Sequence, residues 1–178
     1  LTWRYSPKLH HYIVFGLIVG TTALCKGLIC PAVVMLVLIP DLLQQHKILL
    51  HLHFATVVGI LVSIGCYSIP FILSNSFPAP NYQQTGWDLV CRENIIRYFH
   101  AFDHQGSLAT YFIFLPLYVL PWSLLLLPAV YSVPTRWPSL PWHSRWLIWM
   151  VILIFSFLCL SSSRRSYYVL PLVPFTVL

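Results

Sequence analysis

Long apolar runs recur along this chain, and each approaches the roughly 20 residues an α-helix needs to span a bilayer. They cover Tyr12–Cys25, Leu28–Leu43, Ile48–Leu73, Leu108–Tyr131 and Trp146–Leu160, and another begins at Tyr167. Such runs leave few folds open. Inside a bilayer every backbone N–H and C=O must be satisfied within the protein, which restricts spanning structure to helices and closed barrels. A barrel would show alternating segments of about 10 residues, and the sequence has none. Charged residues make up 8% of the chain, against roughly 25% in a soluble domain. The expectation is an all-α integral membrane protein, a polytopic helical bundle of about five to six spanning helices.

The interruptions set the organisation. Lys26-Gly27 divides Tyr12–Leu43, too long for one span, into two helices joined by a tight turn, with Pro31 in the first turn of the second. Asp41–Lys47 is a short polar link, and Pro70 predicts a kink in the third run. Pro116, Pro121 and Pro128 fall in the fourth, read as one spanning helix, since neighbours in a bundle can satisfy the freed carbonyls. Val133–Arg145 is a basic loop with interfacial tryptophans, and the fifth run stops at Ser161–Ser166, a knot containing Arg164 and Arg165. Residues 1–178 read as a single transmembrane domain without an internal repeat. With Leu1 at the start and an apolar LPLVPFTVL at the end, that domain is expected to be a piece of a longer chain.

The longest polar interval, 74–107, reads as a loop on the outer face. Its second half, WDLVCRENIIRYFHAFDH from Trp87 to His104, carries three of the four acids. Leu89, Ile95, Ile96 and Phe99 fall on one side of a helical wheel, and Arg92, Glu93, Arg97 and His100 on another. That pattern predicts a helix lying at the membrane surface, with a solvated linker as the plainer reading. Ile95, Ile96 and Phe99 are expected on its membrane- or protein-facing side and Arg97 toward a cavity. Alternating the runs places Lys26, the long loop and Arg164-Arg165 on one face, with Arg136 and Arg145 opposite. Lys plus Arg then number five on each face, a tie that the positive-inside rule does not resolve. Cations held on an outer face against that rule point to an anionic ligand.

Lys26, Arg164 and Tyr168 are the candidates for such a ligand. Each cation sits where an apolar run ends, near the depth of a lipid headgroup, and guanidinium and ammonium both suit phosphate oxygens. Snorkelling of Lys26 and interfacial anchoring by Arg164-Arg165 with Tyr167-Tyr168 are the alternatives. Tyr168 follows Arg164 by four residues, so a continuous helix would stack the two. His100 and His104 have the i, i+4 spacing of paired ligands, but Gly106 and the absence of HExxH speak against a helical metal site. No metal ligands are assigned and no cofactor is fixed, with a divalent metal left open. His10-His11, His51 and His53 read as interfacial, and the five cysteines as small packing residues. Phosphate-binding loops, Ser-His-Asp arrangements and redox CxxC pairs are absent. Cations divided between two membrane faces also argue against nucleic acid.

Taken in order, ALCKG, RENIIRYF, LPLYVLPWSLLLLPA and SSSRRSYYVLPLVP resemble the polyprenyl-phosphate-dependent glycosyltransferases of the GT-C type. The nearest branch is that of the lipid A aminoarabinose transferases, related to the protein O-mannosyltransferases. The resemblance runs from about Gly20 to Pro174. It aligns Glu93 and Arg97 with the family's E-x-x-x-R-F motif, with Tyr98 in place of phenylalanine. Arg164 falls at a lysine position, Tyr168 at the tyrosine before Leu170-Pro171, and Lys26-Gly27 at the Lys-Gly turn. It implies donor-phosphate binding by Lys26, Arg164 and Tyr168, and a loop site at Glu93 and Arg97. One departure stands out: Asn94 occupies the neighbourhood of a histidine associated with a metal in the aminoarabinose enzymes, which leaves the donor sugar open. The family's catalytic aspartate lies in an earlier loop, and Asp41, Asp88 and Asp103 do not match its context, so that residue is expected upstream and this chain is the middle of the membrane domain.

The activity implied is inverting transfer of a sugar from a polyprenyl-phosphate donor to a lipid A-like lipid, a glycan or a protein on the outer face. Cations on the departing phosphate would stabilise the charge that develops there. The setting implied is a bacterial inner membrane, with the site facing the periplasm. A carrier or flippase for a lipid-linked sugar is the alternative, for which charges or broken helices near the mid-bilayer would speak. A structural membrane subunit is a third reading.

Overall fold

The computed structural model describes residues 8–45, 54–77, 86–102 and 105–177, which are helical with short connections and contain no strand. Two compact units make up the chain, Leu1–Ile96 and Arg97–Leu178. Among the described residues, three helices are long and apolar enough to cross a membrane: Leu9–Lys26, Phe54–Ser76 and Trp142–Leu160.

In the first unit, α1 (Leu9–Lys26) and α2 (Ile29–Gln45) are joined by the turn expected at Lys26-Gly27. Gly27 adopts φ 73° and ψ −168°, a region that is essentially restricted to glycine. α3 (Phe54–Ser76) lies along α1 at very short range. The reason is written in Gly16 and Gly20, four apart on one side of α1. A Cβ at Gly16 would strike the Gly59 carbonyl, and one at Gly20 would come within 2.8 Å of the Ser63 carbonyl. Small residues at this spacing let helix backbones approach closely, which replaces the hydrophobic driving force missing in lipid. Thr21 and Thr22 satisfy their hydroxyls on the Leu17 and Ile18 carbonyls, each at 2.8 Å.

The surface segment closes the end of this pair. It runs as α4 (Gly86–Val90), a π-helical stretch (Cys91–Ile96) and α5 (Arg97–Phe99). Val90 inserts against Ala23 and Tyr67, with Leu28 and Phe71 packed around them. The Gly86 N–H donates to the Asn75 side chain at 3.1 Å, and Trp87 lies 6.0 Å from the Phe71 ring. The helix expected to reach His104 stops at Phe99, and His104 and Asp103 lie outside the described residues. A π-helix has more residues per turn than the wheel assumed, so the apolar stripe does not keep its register. Ile95, Ile96 and Phe99 are 49, 51 and 66% exposed, so of the two settings expected for them the protein-facing one is met only in part.

In the second unit, α6 (Ala109–Tyr118) and α7 (Ser123–Arg136) replace the single spanning helix expected over Leu108–Tyr131. The pair bends by 113°. Pro121 lies in the break, and a proline there both removes an N–H and crowds the preceding turn. α8 (Trp142–Leu160) buries Met150, Ile154 and Leu158, four apart on one side. After it the chain is irregular over 161–165, then forms a 3-10 helix (Ser166–Leu172) and α9 (Val173–Val177), where the sequence suggested the start of another spanning helix. Val169 and Leu172 of the 3-10 helix are buried, and this segment packs on α6 and α8.

Candidate functional site

The knot after α8 is organised by side chains that bond to backbone. Ser162 is central to it. Its N–H donates to the Tyr98 carbonyl at 2.8 Å, and its hydroxyl accepts the Ala101 N–H and donates to the Tyr98 carbonyl, both at 2.9 Å. Tyr98 reaches back to α8: its hydroxyl donates to the Phe157 carbonyl at 2.7 Å while its ring stacks on Phe157. Burial pushes the Tyr98 phenol up from its ordinary value, so it stays a donor. The tyrosine that stands where the resembling family has phenylalanine therefore has a structural use here.

Arg164 completes this arrangement. Its Nη1 donates to the Gly106 carbonyl at 3.0 Å and its Nη2 to the Cys159 carbonyl at 3.3 Å, while Nε is buried without a hydrogen-bond partner. The pass at Gly106 is close: a Cβ there would lie 3.1 Å from the Arg164 carbonyl, a tight contact. Around the guanidinium lies a cavity of about 370 Å³, lined by Phe99, His100, Ala101, Gln105, Gly106, Ser162 and Arg164. That volume falls in the roughly 300–1,000 Å³ range of small-molecule sites.

Tyr168 is not stacked on Arg164 by a helical turn, because the chain between Ser161 and Arg165 is not helical. Tyr111 of α6 is fully buried, and its hydroxyl completes no hydrogen bond among the described residues. Arg165 turns to Tyr167, with Nη1 donating to its hydroxyl at 2.6 Å and the guanidinium 5.7 Å from its ring centre. Arg97, expected to face the cavity, does not line it. Its guanidinium lies 5.6 Å from the Phe102 ring centre, and the cavity wall is formed by Phe99 to Ala101.

The remaining candidates belong to the first unit. Lys26 is exposed at the end of α1. Glu93 pairs loosely with Arg92 at 3.9 Å, both half-exposed, a contact worth about 0–1 kcal/mol. The neighbour of Glu93 proves more consequential. Asn94 accepts the Leu28 N–H at 2.7 Å, donates to the Val90 carbonyl at 2.9 Å and meets the Tyr67 hydroxyl. Its amide oxygen also sits against Gly27, where a Cβ would collide with it. Asn94 thus fastens the surface helix to the Lys26-Gly27 turn. Among the described residues, no three His, Cys, Asp or Glu side chains gather into a metal-binding group.

Sequence reasoning missed Asn94, Ser162, His100 and Tyr111 as parts of these sites. Asn94 stands out in the sequence only because the resembling family has a histidine in that neighbourhood, and Tyr111 is hidden in an apolar run. Ser162 had a signal, as a small polar residue in a knot that must end an apolar helix, and His100 had one as the i, i+4 partner of His104, read there only for a metal.

No protein-family model matches the chain, and no solved structure matches it. Over 167 residues the chain is 26% identical to the undecaprenyl phosphate-alpha-4-amino-4-deoxy-L-arabinose arabinosyl transferase of Photorhabdus laumondii. The chain is similar to a lipid-linked sugar transferase. The match takes in 92% of this chain and 29% of that protein, so the chain spans less than a third of its relative's length. Together with the long apolar helices, this distant relationship describes a helical membrane protein.

Proposed function

We propose that this chain is part of the membrane domain of a glycosyltransferase that takes its sugar from a polyprenyl-phosphate donor. The similarity to a lipid-linked sugar transferase along 92% of the chain carries the reading. Arg164 supports it from the side of chemistry: a guanidinium at the end of an apolar helix, bordering a cavity, suits a phosphate that enters from lipid. In this reading Lys26, Arg164 and Tyr168 hold the donor phosphate, and Glu93 and Arg97 belong to the loop that covers the acceptor side. The site faces the periplasm or exterior, Arg136 and Arg145 lie on the opposite membrane face, and the acceptor is a lipid of the lipid A kind, a glycan or a protein.

The test is transfer by the purified full-length protein from a polyprenyl-phosphate sugar, set beside a nucleotide sugar. Label should pass to acceptor from the lipid-linked donor only. Use of the nucleotide sugar, or no use of the lipid donor, overturns the reading. The bent α6–α7 pair, with its 113° break, is the one feature that favours a carrier instead, since transporters build sites from broken helices. A carrier would move the lipid-linked sugar across vesicles without transferring it.

A further inference from the structure

We propose that His100 is a second ligand of the phosphate-bearing headgroup in the Arg164 cavity. The inference rests on the reading of Arg164 given above and adds a residue to which neither the comparison nor the motif pattern assigns this role.

Four polar side chains line that cavity: His100, Gln105, Ser162 and Arg164. Ser162 is committed to the fold, and Gln105 in part, since one of its two amide N–H groups is used. The Ser162 hydroxyl both accepts and donates a backbone hydrogen bond, and the Gln105 amide nitrogen donates to the Ala101 carbonyl at 2.7 Å. Arg164 has two bonds to carbonyls but five N–H donors in all, so part of the guanidinium remains for a ligand. His100 is exposed at the cavity wall, beyond the last turn of α5, and makes no hydrogen bond to another described residue. Its imidazole carries a ring N–H donor whether neutral or protonated. Beside Arg164, His100 is thus the polar lining side chain that no fold hydrogen bond engages, and a phosphate resting on Arg164 would find a second donor there. Phe99, also on the wall and largely exposed, offers an apolar surface for the first carbons of the lipid.

The backbone on both sides of His100 is fixed by hydrogen bonds. Ser162 holds both Tyr98 and Ala101, and His100 is carried to the cavity between these two fixed points. A histidine on an untethered loop would have to be ordered at the moment of binding, which lowers affinity.

The experiment is equilibrium binding of a polyprenyl phosphate to the purified full-length protein in detergent, with inorganic phosphate as a parallel probe. His100→Ala is expected to weaken polyprenyl-phosphate binding at least tenfold with an unchanged unfolding temperature, and His100→Gln, which keeps an N–H donor, to recover part of the loss. Loss of lipid binding with weak inorganic phosphate binding in all proteins assigns the site to a lipid headgroup; equal effects on both probes assign it to phosphate as such, and either supports a phosphate ligand at His100. If Arg164→Ala weakens binding and His100→Ala does not, the role of His100 is wrong while the reading of Arg164 stands. If neither substitution weakens binding, the cavity is not the phosphate site and both fall.

Discussion

Two apolar helices end at cations, α1 at Lys26 and α8 before Arg164, and the chain secures the two ends in different ways. At the first, the fastening is a neutral amide: Asn94 holds the Leu28 N–H and rests on Gly27, while Lys26 stays exposed. At the second, the cation is itself a fastening: Arg164 bonds the Gly106 and Cys159 carbonyls, and Ser162 supplies the rest. The lesson is that matching charges at matching helix ends need not be fastened by the same kind of group. Lys26 can be removed without touching the turn's hydrogen bonds to Asn94, whereas removing Arg164 alters both a binding group and the loop that it holds.

The largest effect should therefore come from Arg164→Ala. Loss of a charge-assisted bond worth roughly 1.5–3 kcal/mol lowers transfer by about one to two orders of magnitude. Because two carbonyls also lose their donor, the unfolding temperature should fall as well. A variant with reduced transfer and wild-type stability would show that the two bonds are not used in solution, which would erase the contrast with Lys26.

Gly27→Val attacks the other end. It forces a β-branched residue into a glycine-only conformation, at roughly 1–3 kcal/mol, and drives a Cβ into the Asn94 amide. Thermal unfolding in detergent should show a marked destabilisation. An unchanged midpoint would mean that the turn does not hold the conformation described.

A sharper comparison sets Asn94→Ala against Ser162→Ala. Each leaves a backbone N–H without its acceptor, that of Leu28 or of Ala101, a loss of about 1–3 kcal/mol. Comparable falls in stability are expected. Transfer should suffer more in Ser162→Ala, because Ser162 also lines the cavity. The reverse order would move the site's centre from the α8 end to the Lys26 turn.

Arg165→Ala should have the smallest effect. Its guanidinium serves Tyr167 and does not line the cavity, so transfer should stay within about twofold of wild type, a change below roughly 0.5 kcal/mol. A loss as large as that of Arg164→Ala would show that the roles of the two arginines are exchanged.

The apolar runs made the helices legible, because spanning length and the need to satisfy backbone groups leave little choice. The turn at Lys26-Gly27 was legible for the same reason: a charge and a glycine break a run that is too long. What escaped was decided by single side chains. Pro121 lies in a run as apolar as the others, yet the chain there bends by 113° instead of crossing straight. The π-helical stretch Cys91–Ile96 has no period that a 3.6-residue wheel detects, so the placing of Arg97 toward the cavity did not follow. Arg164 and Tyr168 could be named as residue types suited to phosphate. That Arg164 would also bond to Gly106, 58 positions earlier, depends on long-range docking that spacing does not encode.

Lys26 gives the most direct test of the central claim, that cations at the ends of apolar helices hold the donor's phosphate. It is exposed, and exposed substitutions usually change stability by less than about 0.5 kcal/mol. The decisive measurement is the transfer rate from a polyprenyl-phosphate sugar by full-length Lys26→Ala, with its unfolding temperature recorded alongside. The account predicts a rate at least tenfold lower at an unchanged unfolding temperature. A wild-type rate at wild-type stability would contradict it.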